Sequence, residues 1–566
     1  MSKSGEVREY ESRLLRRSFR KPDGKVGKET LANLSALPPA AVDAVEAVLK
    51  GKTLIDAGAA LEISRSRPHG HVALAHAAAA QLGLPGLLGP ACRERDLACA
   101  LIVSRVAAPK TKLATLAWWD DVTLGPDLGI TDVPRDRVCE AMDWLLGQQD
   151  DIEAELARRH LSAGGIAMFD LSSSRVEGTH CELAARGYSR DGKKGRAQIE
   201  YGLLTDPEGR PVAIRVFKGN TADPTAFTEA VEAVRGKFGL DDLVMVGARG
   251  MITSARIAAL KESTGLSWIT CLRAPAIRKL AADSGPLQMS LLDEQDLAEI
   301  TSPDFPGERL IACRNPLLAA ERARKREDLL AATETLLAEV QEKAVAGRIK
   351  GKDKIGLKAG RIVNKYKMAK HFILDIAENC LTFRRDQAAI DAEAALDGIY
   401  VIRTPLPAEM LDAPGAVTAC KNLARVERDF RSIKADDLDL RPVHHWLEDR
   451  VRAHVLICML AAYLTWHLRK ALAPLTCTGE QPPRPRNPVA PARRSPRAAA
   501  KAAAHSSADG QILHSFRGLL DHLATLTRAT VSIGGTSFDK ISNPTPVQRR
   551  AFDLIGAPIP LTLTLK

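Results

Sequence analysis

The stretch Ile166-Ala167-Met168-Phe169-Asp170-Leu171 constrains this chain more than any other. It reads as a short apolar strand that ends in a carboxylate, and a strand end places an acid on rigid backbone at one edge of a sheet. Downstream, Gln198–Leu204 and Val212–Phe217 read as two more strands, joined through the turn residues Asp206-Pro207-Glu208-Gly209. Residues 222–238 read as a helix, 243–247 as a buried strand, 252–263 as a second helix and 267–272 as another strand. Three strands with a hairpin, followed by helix, strand, helix and strand, predict a mixed α/β sheet. Its strand ends at Asp170 and at residue 248 would face one end of that sheet.

Around this core the pattern changes. Residues 1–110 read as mainly helical and basic at the start, where Arg13, Arg16, Arg17, Arg20 and Lys21 lead into Pro22-Asp23-Gly24. Helical spacing is expected over 30–37 and 40–49, and an Ala- and Leu-rich helix over 70–90. Residues 111–162 read as a helical connector, with helices over 132–146 and 150–161; the acidic start of the second suits a helix N-terminus. Residues 273–412 break the strand pattern and contain a long charged helix over about 316–346. They also contain Lys343–Lys370, where ten Lys and Arg face the single acid Asp353. That density favours contact with phosphates over a merely solvated loop. Helices resume over 414–436 and 443–472. Pro474–Ala504, rich in Pro, Arg and Ala, cannot build a core and marks 473–509 as a disordered basic linker before a small helical region over 510–566.

Composition narrows the classes of function. The net charge of +11 points to a polyanionic partner, with DNA the commonest. Aromatic residues are only 4%, which argues against a single-strand binder built on stacked rings. Ten cysteines without a C-x-x-C pair argue against zinc and against a disulfide framework, and reduced thiols suit the cytosol. The first residues have no apolar core of a signal peptide. The apolar run Val455–Trp466 is too short to span a bilayer and predicts a buried helix. No membrane partner and no nucleotide cofactor are expected.

Several strings together resemble the DDE transposases of bacterial insertion sequences. They are Phe169-Asp170-Leu171-Ser172-Ser173-Ser174, Gly187-Tyr188-Ser189-Arg190-Asp191-Gly192-Lys193, Gly202-Leu203-Leu204-Thr205-Asp206 and Gly219-Asn220-Thr221-Ala222-Asp223, with Arg249-Gly250-Met251 and Val426-Glu427. The likeness extends through Lys365-Tyr366-Lys367, Leu396-Asp397-Gly398-Ile399-Tyr400 and Leu440-Arg441-Pro442-Val443-His444-His445. It is closest to insertion-sequence family four, whose RNase H-like core is interrupted by an inserted domain. The resemblance implies core segments over 163–272 and 413–472 and an inserted basic domain over 273–412.

The resemblance also implies roles. Asp170 would be the first catalytic carboxylate and Glu427 the third, both as metal ligands for two Mg²⁺ ions, with Mn²⁺ as a substitute. The second carboxylate belongs at position 248, where this chain has Ala248. Removal of one ligand implies a protein that still binds DNA but does not cut it. Lys434 matches the family's lysine seven residues after the Glu and would contact a phosphate near the cut. Cys420 and Leu423 depart from the family's Tyr and Arg, and Lys421 or Arg425 would supply the missing charge. Arg249 belongs to the supporting set. Asn220 and Asp223 either close a turn or support the site from behind it.

Lys350, Lys352, Lys354, Lys358, Arg361, Lys365, Lys367, Lys370, Arg425 and Arg431 are the candidate DNA contacts. The implied partners are double-stranded DNA (the terminal inverted repeats and the target) and a second copy of the chain, in the bacterial cytoplasm at the nucleoid. The other reading is a non-catalytic DNA-binding regulator derived from a transposase. His69, His71 and His76 have poor spacing for a metal site. His444 and His445 read as helix-cap residues, and Trp268 as an apolar strand partner.

Overall fold

A computed structural model describes the chain except residues 1–10, 53–60, 191, 193–194, 241, 262–264, 283–284, 293–295, 479–487, 490–493, 508–509, 534–535 and 566. The chain divides into two compact units. The smaller comprises residues 1–67 with Thr527–Ser542. Here the expectation of helix is corrected. Strands β1 (Leu14–Arg20) and β2 (Val26–Asn33) form an antiparallel hairpin, and β3 (Leu61–Pro68) lies in a three-stranded sheet with two strands of the tail. Only the helix Pro39–Leu49 matches the reading of this part. The hairpin is almost wholly exposed, so its apolar residues carry no face pattern for sequence reading to detect.

The larger unit is built on one eight-stranded sheet. Strands β4 (Ile166–Arg175), β5 (Gln198–Thr205) and β6 (Pro211–Lys218) form an antiparallel meander. β7 (Leu243–Gly247) pairs parallel to β4, and β8 (Leu266–Cys271) parallel to β7. The spatial order β6-β5-β4-β7-β8 is that of an RNase H-like core. The sheet does not stop there. β9 (Leu297–Ile300), β10 (Arg309–Arg314) and β13 (Ile399–Thr404) extend it as β8-β13-β10-β9, all antiparallel. The segment expected to be a separate insertion therefore adds three strands to the core sheet. A buried bidentate pair fastens this extension: Arg403 donates to both carboxylate oxygens of Glu308 at 2.6 and 2.7 Å.

Beyond that extension the inserted residues have a core of their own. The helix Pro316–Val345, the helix Lys352–Lys365 and the hairpin of β11 (Phe372–Ala377) and β12 (Cys380–Arg385) bury Leu330, Leu337, Ile355, Ala359, Val363 and Leu381 together. A helical shell covers the meander. The helix Glu448–Ala471 packs on β6 and on the helices Arg93–Ala107 and Arg135–Gly147. It is the one described helix long and apolar enough to cross a membrane, but 83% of its apolar window is buried inside the protein. It is therefore the central core helix that the run Val455–Trp466 predicts.

The tail is corrected as well. β14 (Thr527–Ile533) and β15 (Thr536–Ile541) stand where only helix was expected, between the helices Phe516–Ala524 and Pro546–Ile555. Within the expected linker, Pro496–Ala504 is a helix capped by the Ser495 hydroxyl. Residues 479–487 and 490–493 of that expectation lie outside the described residues.

Candidate functional site

Asp170 sits where β4 outruns its parallel neighbour. The β4–β7 register ends at the pair Phe169↔Gly247, so Asp170 and Ala248 are the next residues on adjacent strands. Both are half-buried. β7 is buried at every residue and Trp268 on β8 is 2% exposed, so the backbone under this edge is rigidly packed. Ala248 turns the chain out of the strand, its carbonyl accepting from Met251 N–H at 2.9 Å.

Strand parity decides which way Asp170 points. Asp170 stands opposite Leu203 and Ser172 opposite Tyr201, so these four residues share one face. Tyr201 meets Phe430 edge to face, ring centroids 5.7 Å apart, and its hydroxyl bonds the Ser174 hydroxyl at 2.9 Å. Phe430 belongs to the helix Ala413–Arg431, so this helix lies on the face that carries Asp170. The opposite face holds Phe169, in ring contact with Phe227 of the helix Asp223–Gly236. The Ala413–Arg431 helix starts at an Asp412 cap with Pro414 in the first turn, and its apolar stripe of Ala416, Val417, Ala419, Val426 and Phe430 rests on the sheet. Glu427, beside that stripe, is exposed.

Two of the expected three carboxylates are therefore carried by elements of one face, and the third position holds a methyl group. Neither Asp429 nor Asp242 takes that place. Asp429, two residues beyond Glu427, turns to the β5–β6 hairpin instead, where its Oδ2 is buried without a hydrogen-bond partner. Burial, reinforced by Asp206, pushes its carboxyl up to about 8. Asp242 belongs to the opposite end of β7, where its carbonyl accepts from Gly164 N–H, and Asp241 lies outside the described residues. Among the described residues no group of three or more His, Cys, Asp or Glu side chains could hold a metal ion. The donor set present does not fit a two-ion centre.

The family model for the transposase DDE domain matches residues 163–464. This chain belongs to the DDE transposase family. No curated protein matches it in sequence. Among solved structures it is similar to a piggyBac transposase in a synaptic complex with hairpin DNA, at 8% identity and a TM-score of 0.34. That likeness covers 80% of this chain and 76% of the other.

Within this DDE family member the remaining candidates separate clearly. Lys434 is buried, in a π turn over Ser432–Asp436 that continues the Glu427 helix. Arg425 donates to the Pro207 carbonyl at 2.9 Å, and Lys421 to the Pro488 carbonyl. Both charges expected to replace the family's arginine are thus engaged with backbone. Arg431 is exposed. Asn220 is exposed in the turn after β6, and Gly219 before it is held so close to Gln198 that a Cβ would lie 1.8 Å from the Gln198 carbonyl oxygen. This gives the motif a backbone reason for glycine. Asp223 opens its helix.

Lys350, Lys352, Lys354, Lys358, Arg361, Lys365, Lys367 and Lys370 are all exposed. Five of them project from the helix Lys352–Lys365, which buries Ile355, Ala359 and Val363 on its other face. A groove of about 890 Å³ runs along this helix over Gly356 and Gly360, flanked by Lys352, Arg361 and Lys365.

His69 is bonded to the Thr123 hydroxyl and the Pro560 carbonyl, and burial pushes His71 down to about 3. His445 is pushed down to about 4 by burial and by Lys112.

Two features escaped sequence reading. Arg249 lines a cavity of about 630 Å³ together with Arg278, Arg322, Lys325 and Lys370 of the inserted region. Cys420 touches Cys271, with the sulfurs 3.3 Å apart. The only signal of the second was the absence of the family's tyrosine at 420.

Proposed function

We propose that this chain is an insertion-sequence transposase that binds the terminal inverted repeats of its own element as a dimer and holds them without cutting. The observation that carries the reading is Ala248. It follows Gly247, the register partner of Phe169, just as Asp170 follows Phe169. A carboxylate there would complete the family's trio of Asp170, residue 248 and Glu427 around two Mg²⁺ or Mn²⁺ ions. With a methyl group there, DNA binding survives and hydrolysis and strand transfer do not.

The chain's own residues supply the binding. The exposed cations of the helix Lys352–Lys365 project beside a groove floored by Gly356 and Gly360, where a phosphate backbone can approach closely. The net charge of +11 supports the same partner. Such a protein works in the cytoplasm on nucleoid DNA. The regulator reading, in which the chain occupies the ends and never cuts, is kept alive by the same Ala248.

The test is a cleavage assay on plasmid DNA carrying the element's ends, with Mg²⁺ or Mn²⁺, comparing this chain with Ala248→Asp. Cutting at the ends by the variant alone supports the transposase reading. Binding by both proteins with cutting by neither favours the regulator.

A further inference from the structure

We propose that Cys271 and Cys420 form an oxidant-responsive dithiol whose disulfide pins the Glu427 helix to the end of β8. Cys271 is the last residue of β8 and Cys420 lies two turns before Glu427 on its helix. Their sulfurs are already 3.3 Å apart across 149 residues of chain. A disulfide requires about 2.05 Å, so the two must close by only about 1.2 Å. Both are free thiols here.

The surroundings assign the two sulfurs different parts. Cys271 lines the 630 Å³ cavity beside Arg249, so a small oxidant can reach it from solvent. The hydrogen bond from Cys420, aided by Arg249, pulls the Cys271 thiol down; the same bond and burial push Cys420 up. Cys271 is therefore the attacking sulfur. Its thiolate attacks one oxygen of hydrogen peroxide, the O–O bond breaks, and the released hydroxide takes a proton to become water. Cys271 is left as the sulfenic acid. The Cys420 sulfur then attacks the sulfenic sulfur, and its proton leaves with the hydroxyl as a second water. Two electrons pass from the thiols to the peroxide. A dithiol reductant reverses the bond. Cys313, buried nearby with its thiol pushed up to about 12, takes no part.

The inference does not depend on whether the protein cuts DNA. The full-length protein is treated with hydrogen peroxide, digested without reduction and analysed by mass spectrometry. The exposed Cys380 and Cys477 report that oxidant was present. The expected result is a Cys271–Cys420 linked peptide and a melting temperature raised by roughly 5 °C, both reversed by dithiothreitol. In Cys420→Ser, a sulfenic-acid probe should label Cys271, and the melting shift should vanish. In Cys313→Ser the link should persist. Oxidation of Cys380 and Cys477 without a 271–420 link in the unmodified sequence would overturn the proposal. So would a link that forms equally well in urea.

Discussion

β4 and β7 are neighbours, parallel and packed in the same sheet, but β7 stops at Gly247 while β4 runs on through Asp170 to Arg175, and only β4 carries a carboxylate at this level. Phe169 and Gly247 hold equivalent places, and the next residues are Asp170 and Ala248. The packing beneath is continuous across both strands, because Met168, Phe169, Met245 and Val246 are all at most 1% exposed. The fold is thus insensitive to what stands at 248. Scaffold energy comes from the buried residues of both strands and chemistry from single residues beside them, so one can be lost without the other.

The largest expected effect tests this separation directly. Ala248→Asp should raise metal-dependent cleavage at the element's ends by more than ~100-fold, and adding Asp170→Ala should remove the gain. Both variants should melt within a few degrees of the parent; a collapse of the fold in either would break the comparison. Next comes the scaffold. Phe430→Ala removes the ring that meets Tyr201 beneath the site and should cost about 3–5 kcal/mol in urea unfolding. Glu427→Gln, three residues earlier but exposed, should change stability by less than about 0.5 kcal/mol.

A smaller effect concerns binding alone. Replacing Lys354, Lys358 and Arg361 together by Gln should lower the slope of log affinity against log salt by roughly two to three, with stability unchanged. An unchanged slope would exclude this helix from the DNA path.

The last test is pH. His71, His445 and His467 are pushed to about 3, 4 and 4, chiefly by burial, below the ordinary histidine value near 6.5. Between those values the unfolded chain binds more protons than the folded one. Stability is therefore complete above about pH 6.5 and falls as the pH drops toward 4. His71→Asn should flatten the acid limb of a melting-temperature profile; an unaltered limb would exclude His71 as a contributor.

Much of the site was legible because its signals are local. The strand expected to stop at Asp170 runs on to Arg175 because it stays paired with β5, but its start, the hairpin turn at Asp206-Pro207-Glu208-Gly209, the strand before Ala248 and the core helix around Val455–Trp466 each announce themselves within a dozen residues. The exposed hairpin Leu14–Asn33 did not, because its residues have no buried face to impose alternation. The strand at 399–404 was equally silent: both of its partners, at 309–314 and 270–271, lie some 85 or more residues away, and no local rule encodes that register.

Sequence alone determined the chemistry available: a carboxylate at 170, another at 427, a methyl group at 248 and a dense run of cations over 343–370. It did so because residue identity and short-range periodicity are properties of the chain. Only the tertiary structure decided that Phe169 and Gly247 are register partners, that the inserted residues extend the core sheet, and that Cys271 meets Cys420. Those are long-range pairings, chosen by which buried faces match, and that competition is resolved only when the whole chain packs.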